Sequence, residues 1–247
     1  MDIDPYTILA PYYDALFGWH TERETNFVLE VFKSWEWPIQ RILDAACGTG
    51  RHATILQHAG YDVLCIDRSA AMLNAAKRKN LKTVQEDIRK MSYTAEFDAI
   101  LLLFSSFQYL LTNEDAKQAL KSIYRALKKN GAFILDVWNA WHKLIHYRER
   151  GEEVAETNDF KVLRITNSEL GLTDQTYLLG EVLLVEKEGK FEMHHNMHKM
   201  RLYSPLELIG LMETTGFNIK KKYANFNLTE PFETSLDPEI LVLVAQK

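Results

Sequence analysis

The sequence has little cysteine, no long apolar run and no cluster of basic charge. Cys47 and Cys65, the two cysteines of the chain, both fall inside apolar strand-like runs. We therefore expect buried, reduced thiols rather than a disulfide framework. No apolar run is long enough to cross a bilayer. The opening stretch MDIDPYTILAPYYD is acidic and lacks the basic region of a signal peptide, so we expect a cytoplasmic protein with no membrane partner.

The charge and length of the chain bear on its binding partners and on its domain organisation. The formal net charge is −5 and the basic residues are scattered, so binding to a polyanion is not indicated. Apolar residues make up 47% of the chain, which is enough for a sizeable core. The length of 247 residues suits one α/β domain that carries an insertion. We predict a single domain over residues 1–247.

Short apolar runs alternate with amphipathic helices between residues 41 and 138. The predicted strands cover residues 42–47, 62–67, 83–87, 97–104 and 132–138. The first helix begins at Gly50 and ends at Gly60, the second is capped by Ser69, and the third covers 113–129. This alternation is typical of a doubly wound parallel sheet with helices on both faces.

The pattern changes after residue 138. Residues 160–201 contain β-type runs with a turn at Glu188-Gly189-Lys190, which predicts an antiparallel β cap inserted over residues 139–203. A capping box at Ser204 then begins a helix that ends at Gly216, and strands 218–226 and 240–245 follow. These two strands are close in sequence, so we expect them to pair antiparallel. The predicted fold is α/β, with a doubly wound, mostly parallel seven-stranded sheet, an antiparallel final hairpin and the inserted cap.

Three acids lie near the carboxyl ends of predicted strands. Asp44 precedes the turn Ala-Ala-Cys-Gly-Thr-Gly, whose glycines allow a ligand to approach the backbone closely. The helix that begins there offers free N–H groups to an anion or a polar ligand tail. Asp67 suits two ribose hydroxyls, and Asp87 with Ile88 suits an adenine amino group and ring. The pattern therefore predicts a nucleoside-containing cofactor.

The string LDAACGTGRHA resembles the first motif of class I S-adenosylmethionine-dependent methyltransferases. Ala46 replaces the first glycine, as in glycine and sarcosine N-methyltransferase-like members. The resemblance covers about residues 10–138 and 200–247, and it implies S-adenosylmethionine as cofactor. The cofactor contacts that it implies are Tyr13, Arg23, Asp44, Ala46, Gly48, Asp67, Met72, Asp87, Ile88, Leu103 and Tyr109.

The resemblance also implies a role for each of these residues. Asp44 would orient the glycine turn or meet the ammonium group of the ligand through water, and Ala46 and Gly48 would offer backbone contacts to the methionine part. Asp67 would bind the ribose, and Met72, Asp87 and Ile88 would surround the adenine. The Leu103 carbonyl would lie beside the methionine part, and Tyr109 stands where the N-methyltransferase-like members have a histidine near the cofactor. Tyr13 and Arg23 would reach the ligand from an N-terminal helix, with the guanidinium paired to the methionine carboxylate.

Other functions share parts of this pattern. The glycines and an acid near residue 67 also fit the dinucleotide fingerprint of an NAD(P)-dependent oxidoreductase. Asp44, Asp87 and the antiparallel final hairpin favour the methyltransferase. A non-catalytic cofactor-binding partner subunit is a third alternative, and a homodimer is possible.

The residues at the end of the fourth strand narrow the choice of methyl acceptor. Residues 102–106 read LLFSS, without the Asn/Asp-Pro-Pro-Tyr/Phe or Pro-Cys motifs of DNA-modifying methyltransferases, so DNA is an improbable substrate while RNA stays open. We expect in-line transfer of a methyl group to a small amine, hydroxyl or carboxylate. The sequence assigns no catalytic residue. Candidate general bases are His142, His195, Tyr12 and Tyr13.

The residues of the inserted cap bear on metal binding and on the walls of the substrate pocket. His194 and His198 should share one face of a strand and His195 the other, which disfavours convergence on a metal, so no metal site is predicted. The cap is expected to supply pocket walls over the carboxyl edge of the sheet, the competing hypothesis being a dimer interface. Its candidate wall residues are Trp138, Trp141, His142, His195, Arg201 and Tyr203.

Overall fold

A computed structural model describes residues 4–247, which contain two β-sheets. The larger has seven strands in the order β10-β11-β5-β4-β1-β2-β3, and the smaller has four in the order β6-β7-β8-β9. The strands of the larger sheet are β1 Arg41–Ala45, β2 Asp62–Asp67, β3 Lys82–Gln85, β4 Phe97–Leu102, β5 Leu127–Trp138, β10 Asn218–Ala224 and β11 Ile240–Gln246. Those of the smaller are β6 Arg150–Glu156, β7 Lys161–Gly171, β8 Thr176–Lys187 and β9 Lys190–Arg201.

Helices lie between most of the strands and before the first. They are α1 Tyr6–Leu9, α2 Tyr13–Phe17, α3 Thr21–Ser34, α4 Arg51–His58, α5 Ala70–Arg78, α6 Asn113–Ala126, α7 Ala140–Ile145 and α8 Pro205–Thr215. A short 3₁₀ helix, Ser106–Tyr109, follows β4. No helix within residues 4–247 is long and apolar enough to cross a membrane.

Four of the predicted helix ends are confirmed. Gly50 stands before α4 with φ +74°, and Gly60 follows that helix with φ +95°. The Ser69 hydroxyl accepts from the Met72 amide at the start of α5, and Ser204 accepts from the Glu207 amide at the start of α8. These polar caps satisfy amides that the first turn of a helix leaves unpaired, and so fix where each helix begins.

The larger sheet has the predicted mixture of directions. β1 to β5 pair parallel, whereas β11 pairs antiparallel with both β5 and β10. Central strands β1 and β4 are buried on both faces, because helices cover both sides of the sheet. Cys47 and Cys65 are buried and unbonded, as expected.

Several element boundaries differ from the sequence prediction, and two of the differences have a clear physical reason. The helix predicted over 113–129 ends at Ala126, because residues from Leu127 onward are extended and belong to β5, with Leu127 paired to Phe97. The strand predicted over 97–104 ends at Leu102, because Phe104 and Ser105 adopt positive φ of +58° and +56°. That backbone reversal turns the chain over the carboxyl edge of the sheet.

The four-stranded sheet is the predicted antiparallel insertion, with two additions. The short helix α7 follows β5, and β6 precedes the β-type runs that the sequence indicated. β6 is rich in glutamate, so its hydrophobic pattern gives no strand signal. One apolar cluster joins the inserted sheet to the N-terminal helices and to α5. Its members include Leu9, Tyr13, Met72, Val162 and Leu183.

Candidate active site

The glycine turn joins β1 to α4 at the carboxyl edge of the sheet. Ala46, Gly48 and Gly50 all have positive φ, of +59°, +58° and +74°. A side chain at Gly48 would meet only the Tyr13 ring, at 4.0 Å, whereas one at Gly50 would lie 2.2 Å from the Leu81 side chain. Glycine at 48 is thus required by its positive φ, and the space beside it is open. Glycine at 50 is required because a side chain there would clash with Leu81.

Asp44 lies directly beneath this turn. Its side chain is buried, and its Oδ2 has no hydrogen-bond partner within residues 4–247. Burial raises the pKa of this carboxyl group to about 6. An unpartnered buried carboxylate beside a tight turn is suited to a ligand ammonium group, which is the contact predicted for it.

Asp67 ends β2 next to the turn. Its Oδ2 accepts from the Gly48 amide at 2.8 Å and its Oδ1 from the Ser69 amide at 2.8 Å. Burial raises the pKa of this group despite these bonds. Met72 is fully buried on α5 against the N-terminal helices. The structure therefore places Asp67, Met72 and the glycine turn at one strand edge.

Asp87 follows β3, where Ile88 is buried beside it. The Arg89 guanidinium donates to both carboxylate oxygens of Asp87, at 3.0 Å and 3.1 Å from Nε. Although burial opposes ionisation, hydrogen bonds and charge from Arg89 hold the pKa of Asp87 below its usual value. The carboxylate is thus charged and held in one orientation at the edge of the sheet.

Two arginines near the site, Arg51 and Arg23, differ in burial and in their hydrogen bonds. Arg51 is buried, donates to the Phe17 carbonyl and to Thr21 Oγ1, and lies over the Phe104 ring at 4.7 Å. Arg23 is exposed, and its one hydrogen bond within residues 4–247 is to His20 Nδ1, at 3.3 Å. Arg51 therefore anchors the N-terminal helices, whereas Arg23 keeps donors available at the cavity mouth.

A cavity of about 630 Å³ lies over the carboxyl edge of the sheet. Three parts of the chain enclose it: the strand ends with Phe104 and Asp136, the N-terminal helices with Tyr6 and Tyr13, and the inserted sheet. The contribution of the inserted sheet includes Arg164, Tyr177, Glu181 and His198. Such a volume with aromatic walls and a few polar groups is typical of a small-molecule pocket.

Asp136, near the end of β5, lines this cavity. Its Oδ2 accepts from the Ser105 amide at 2.9 Å and from the Ser105 hydroxyl at 3.1 Å. Its Oδ1 has no partner within residues 4–247. Burial raises the pKa of Asp136 to about 7, and the charge of Glu24 adds to the shift. At neutral pH this carboxyl group can take or give a proton.

A chain of hydrogen bonds crosses from α1 to the inserted sheet. The Tyr6 hydroxyl donates to the Tyr109 hydroxyl at 2.7 Å. The Tyr109 hydroxyl in turn lies 2.9 Å from His198 Nδ1. His198 Nε2 lies 3.0 Å from Glu181 Oε2. Arg164 Nε donates to the other oxygen of Glu181 at 2.7 Å. Glu181 is buried, yet hydrogen bonds from His198 and the charge of Arg164 hold its pKa below its usual value.

Lys143 brings a cation to the same cavity. Its ammonium group lies 4.2 Å from the centre of the Trp138 ring and 5.6 Å from that of Tyr177. No carboxylate oxygen within residues 4–247 lies within ion-pair distance of it. Burial lowers the pKa of this ammonium group. The aromatic faces compensate part of the lost hydration.

Most of the wall residues predicted from the insertion lie elsewhere. Only Trp138 lines the cavity, and the prediction is wrong for Trp141, which is 56% exposed, and for His195, which lies on the outer face of β9. Arg201 pairs with Glu207, and Tyr203 is fully buried with its hydroxyl on the Leu110 carbonyl.

The helix α7 is tied to the C-terminal loop. His142 Nδ1 lies 2.7 Å from Asp237 Oδ1, and His146 Nε2 lies 3.4 Å from the same oxygen. These contacts hold α7 beside the cavity mouth, which Lys143 of the same helix lines. Of the other general-base candidates, Tyr12 packs edge-on against Phe160, and burial raises the pKa of Tyr13 to about 12.

Sequence reasoning missed Asp136, Lys143, Arg164 and Glu181. Asp136 carried a usable signal, because an acid inside the apolar run AFILDVW of a predicted central strand is seldom buried without a purpose. Arg164 and Glu181 are charged residues within apolar β-type runs and carry the same signal. Lys143 has no such signature in the sequence.

Comparisons with known proteins agree with this geometry. Residues 42–131 match the family model described as a methyltransferase domain. The chain is 28% identical over 213 residues to methyltransferase YqeM of Bacillus subtilis (strain 168), covering 84% of each chain. It is 37% identical over 137 residues to the glycine/sarcosine N-methyltransferase of Aphanothece halophytica, covering 51% of each.

A solved structure shares the fold over the whole chain. The S-adenosylmethionine-dependent methyltransferase from Clostridium acetobutylicum ATCC 824 has a TM-score of 0.83 at 20% identity, and the match covers 98% of this chain and 99% of that one. The matched domain contains the glycine turn, Asp67 and Asp87. These similarities favour the methyltransferase over the oxidoreductase. Residues 42–131 are a methyltransferase domain, and the chain is a methyltransferase with the fold of an S-adenosylmethionine-dependent enzyme.

Proposed function

We propose that this enzyme methylates the nitrogen of a small amine held in the cavity beneath the inserted sheet. The observation that carries the proposal is Asp136, a cavity carboxyl group with an unpartnered oxygen and a pKa raised to about 7 by burial. An aliphatic amine is mostly protonated at neutral pH and cannot act as a nucleophile until it loses a proton. A base whose pKa lies near the working pH is suited to remove it.

The residues around the glycine turn fit the cofactor. Bound S-adenosylmethionine supplies a transferable methyl group on a positively charged sulfur. Asp44, with its orphaned oxygen, would accept from the ammonium group, and Ala46 and Gly48 would offer backbone contacts. Arg23 would pair with the carboxylate from the cavity mouth.

The remaining predicted contacts would hold the nucleoside. Asp67 would exchange its bond to the Gly48 amide for ribose hydroxyls. Asp87 and Ile88 would bind the adenine beside Met72. The Leu103 carbonyl, which accepts from the Ser106 hydroxyl at 2.8 Å, and Tyr109 would lie beside the methionine part.

The charges of the cavity favour a cationic acceptor. Within residues 4–247 its lining includes five carboxyl groups, on Glu24, Asp136, Glu153, Glu181 and Glu239, against the three cations Arg23, Lys143 and Arg164. An excess of negative charge in a partly enclosed space attracts an ammonium ion more strongly than a neutral alcohol or an anion. The similarity to a glycine/sarcosine N-methyltransferase supports the same class of acceptor.

Asp136 has a defined task in this proposal. Its Oδ1 accepts a hydrogen bond from the entering ammonium group and then takes one proton, leaving the nitrogen lone pair available. The two Ser105 donors hold Oδ2, so the carboxyl group keeps its orientation while it changes charge. The aromatic walls exclude water from the reacting nitrogen.

The test is a turnover screen with the purified enzyme. S-adenosylhomocysteine formation is measured with primary and secondary amines, including amino acids and amino sugars, and with alcohols and carboxylic acids of matched size. We expect turnover with members of the amine set alone. Turnover confined to alcohols or carboxylic acids would contradict the proposal while leaving the methyltransferase assignment intact.

A further inference from the structure

The inserted sheet has two chemically different faces. Side chains alternate along each strand, so Arg164, Glu181 and His198 on the inner face meet the cavity. The opposite face carries exposed apolar side chains, among them Val154 at 62%, Phe191 at 78% and Met197 at 67% exposure. Within residues 4–247 no other element covers this outer face.

The apolar residues of the outer face form a continuous patch. Strand register places Val154, Leu163, Leu184 and Met193 in one row across all four strands. The next row contains Ile165 and Val182. Four strands and about nine residues span roughly 19 Å by 30 Å, or about 570 Å² of flat area. The apolar rows occupy the centre of this area and charged residues its borders, and an exposed apolar patch with a polar rim is typical of an interaction site.

The patch is complementary to itself. A twofold axis parallel to the strands reverses the order of strands in a second copy but keeps each row opposite its own equivalent. Val154 then lies over Met193 of the other copy, and Leu163 over Leu184. In the row on one side of these residues, Lys161 lies opposite Glu186 of the other copy. In the row on the other side, Glu152 lies opposite His195 of the other copy. Apolar groups therefore meet apolar groups in the central row, and in the row beyond it Lys161 can pair with Glu186, while Glu156 lies over Phe191 at the edge of the sheet.

We propose that the outer face of the inserted sheet is the interface of a homodimer with this twofold symmetry. Two such faces cover roughly 1,100 Å² of flat area before side-chain relief is added, above the about 1,000 Å² expected of a specific interface. Methionine and phenylalanine, both abundant here, are enriched at the cores of interfaces. The insertion thus serves as pocket wall on one face and subunit contact on the other.

The first test is the mass of the enzyme in solution, measured by light scattering at micromolar concentration. We expect twice the chain mass of 28.7 kDa for the wild type and 28.7 kDa for the double variant Leu184→Glu, Met193→Glu. The matched control is the double variant Leu206→Glu, Leu236→Glu, which places the same two charges on residues that are 84% and 102% exposed. The control should stay dimeric, and all three proteins should keep cooperative thermal unfolding and bind S-adenosylmethionine.

The second test checks the geometry. Val154 and Met193 are three strands apart, too far for a disulfide within one chain. Mixing Val154→Cys with Met193→Cys and adding a bismaleimide that spans about 10 Å, the separation of two packed sheets, should give a covalent heterodimer, whereas mixing Val154→Cys with Leu206→Cys should not. A monomeric wild type, a dimeric Leu184→Glu, Met193→Glu variant, or absence of the Val154–Met193 cross-link would overturn the proposal. Sedimentation of a monomeric wild type with lipid vesicles would assign the patch to a membrane surface instead.

Discussion

Asp136 and Ser105 are joined by two hydrogen bonds, both to the same carboxylate oxygen. The arrangement depends on the positive φ of Phe104 and Ser105, which points the Ser105 amide back toward β5. Residues with such backbone strain persist where the surrounding structure holds them, often at functional sites. The other oxygen of Asp136 has no hydrogen-bond partner within residues 4–247.

Replacing Asp136 with Asn should remove the proposed base while preserving its shape. We expect kcat/KM for an amine acceptor to fall by about 10²–10⁴-fold, the usual contribution of general acid–base catalysis. The wild-type rate should rise with pH through about 7, where Asp136 ionises, and the residual rate of the variant should lose that step. Ser105→Ala is the control, because it removes one bond and keeps the carboxylate. Equal pH profiles for wild type and Asp136→Asn would remove Asp136 from the chemistry.

The same carboxyl group should make the ligand-free protein less stable as the pH rises. The pKa of Asp136 is about 7 in the folded chain and about 3.9 when unfolded, so the folded state binds the proton more tightly. Its contribution to stability is fully present below pH 4 and is lost as pH rises through 7. Asp136→Asn should therefore gain roughly 2–3 kcal/mol relative to wild type between pH 5 and pH 8. Urea unfolding at both pH values measures this difference, and a constant difference would contradict the raised pKa.

Asp67 and Asp87 should both matter for cofactor affinity. Removing a charged hydrogen-bond acceptor costs about 1.5–3 kcal/mol, so Asp67→Ala and Asp87→Ala should each weaken S-adenosylmethionine binding by about 10–150-fold. Calorimetric titration with S-adenosylhomocysteine measures the effect, with Asp62→Ala, an exposed pair with Lys82, as the control. If both variants bind like the wild type, the ribose and adenine assignments are wrong.

Substitution of Arg23 should weaken cofactor binding, whereas substitution of Arg51 should lower the stability of the fold. Arg23 has its donors available, so Arg23→Met should weaken cofactor binding by at least tenfold with little change in Tm. Arg51 holds the N-terminal helices through Phe17 and Thr21, so Arg51→Met should lower Tm. The measurements are the Tm of each variant and its affinity for the cofactor. A stable Arg23→Met variant with normal affinity would rule out the carboxylate contact.

Much of the fold could be predicted because local signals and hydrophobic periods agree along β1 to β5. Gly50, Ser69 and Gly216 mark helix ends by their own backbone or capping chemistry. The end of α6 could not be predicted, because Lys128 and Lys129 favour a helix while pairing of residue 127 with Phe97 requires an extended chain. Tertiary contacts decide such boundaries.

The cofactor edge was easier to predict than the acceptor side. Asp44, Asp67 and Asp87 stand at the ends of consecutive strands, so one motif places them together. His195 and His198 lie on opposite faces of one strand, and only the register of β9 against β8 decides which of the two meets the cavity. Arg164 and Glu181 meet from different strands, so no local pattern could pair them.

Lys143 should set the preference among amines. Its ammonium group lies in the cavity between Trp138 and Tyr177 without an ion-pair partner within residues 4–247, so an acceptor that carries a carboxylate beside its amine can pair with it. Lys143→Met keeps the apolar stem on the aromatic rings and removes the charge. We expect KM for amino acid acceptors to rise at least tenfold, while KM for amines without an anionic group stays within about twofold. Lys33→Met, an exposed site on α3, is the control. An equal rise in KM for both classes of amine would show that Lys143 supports the pocket wall rather than recognising an anion.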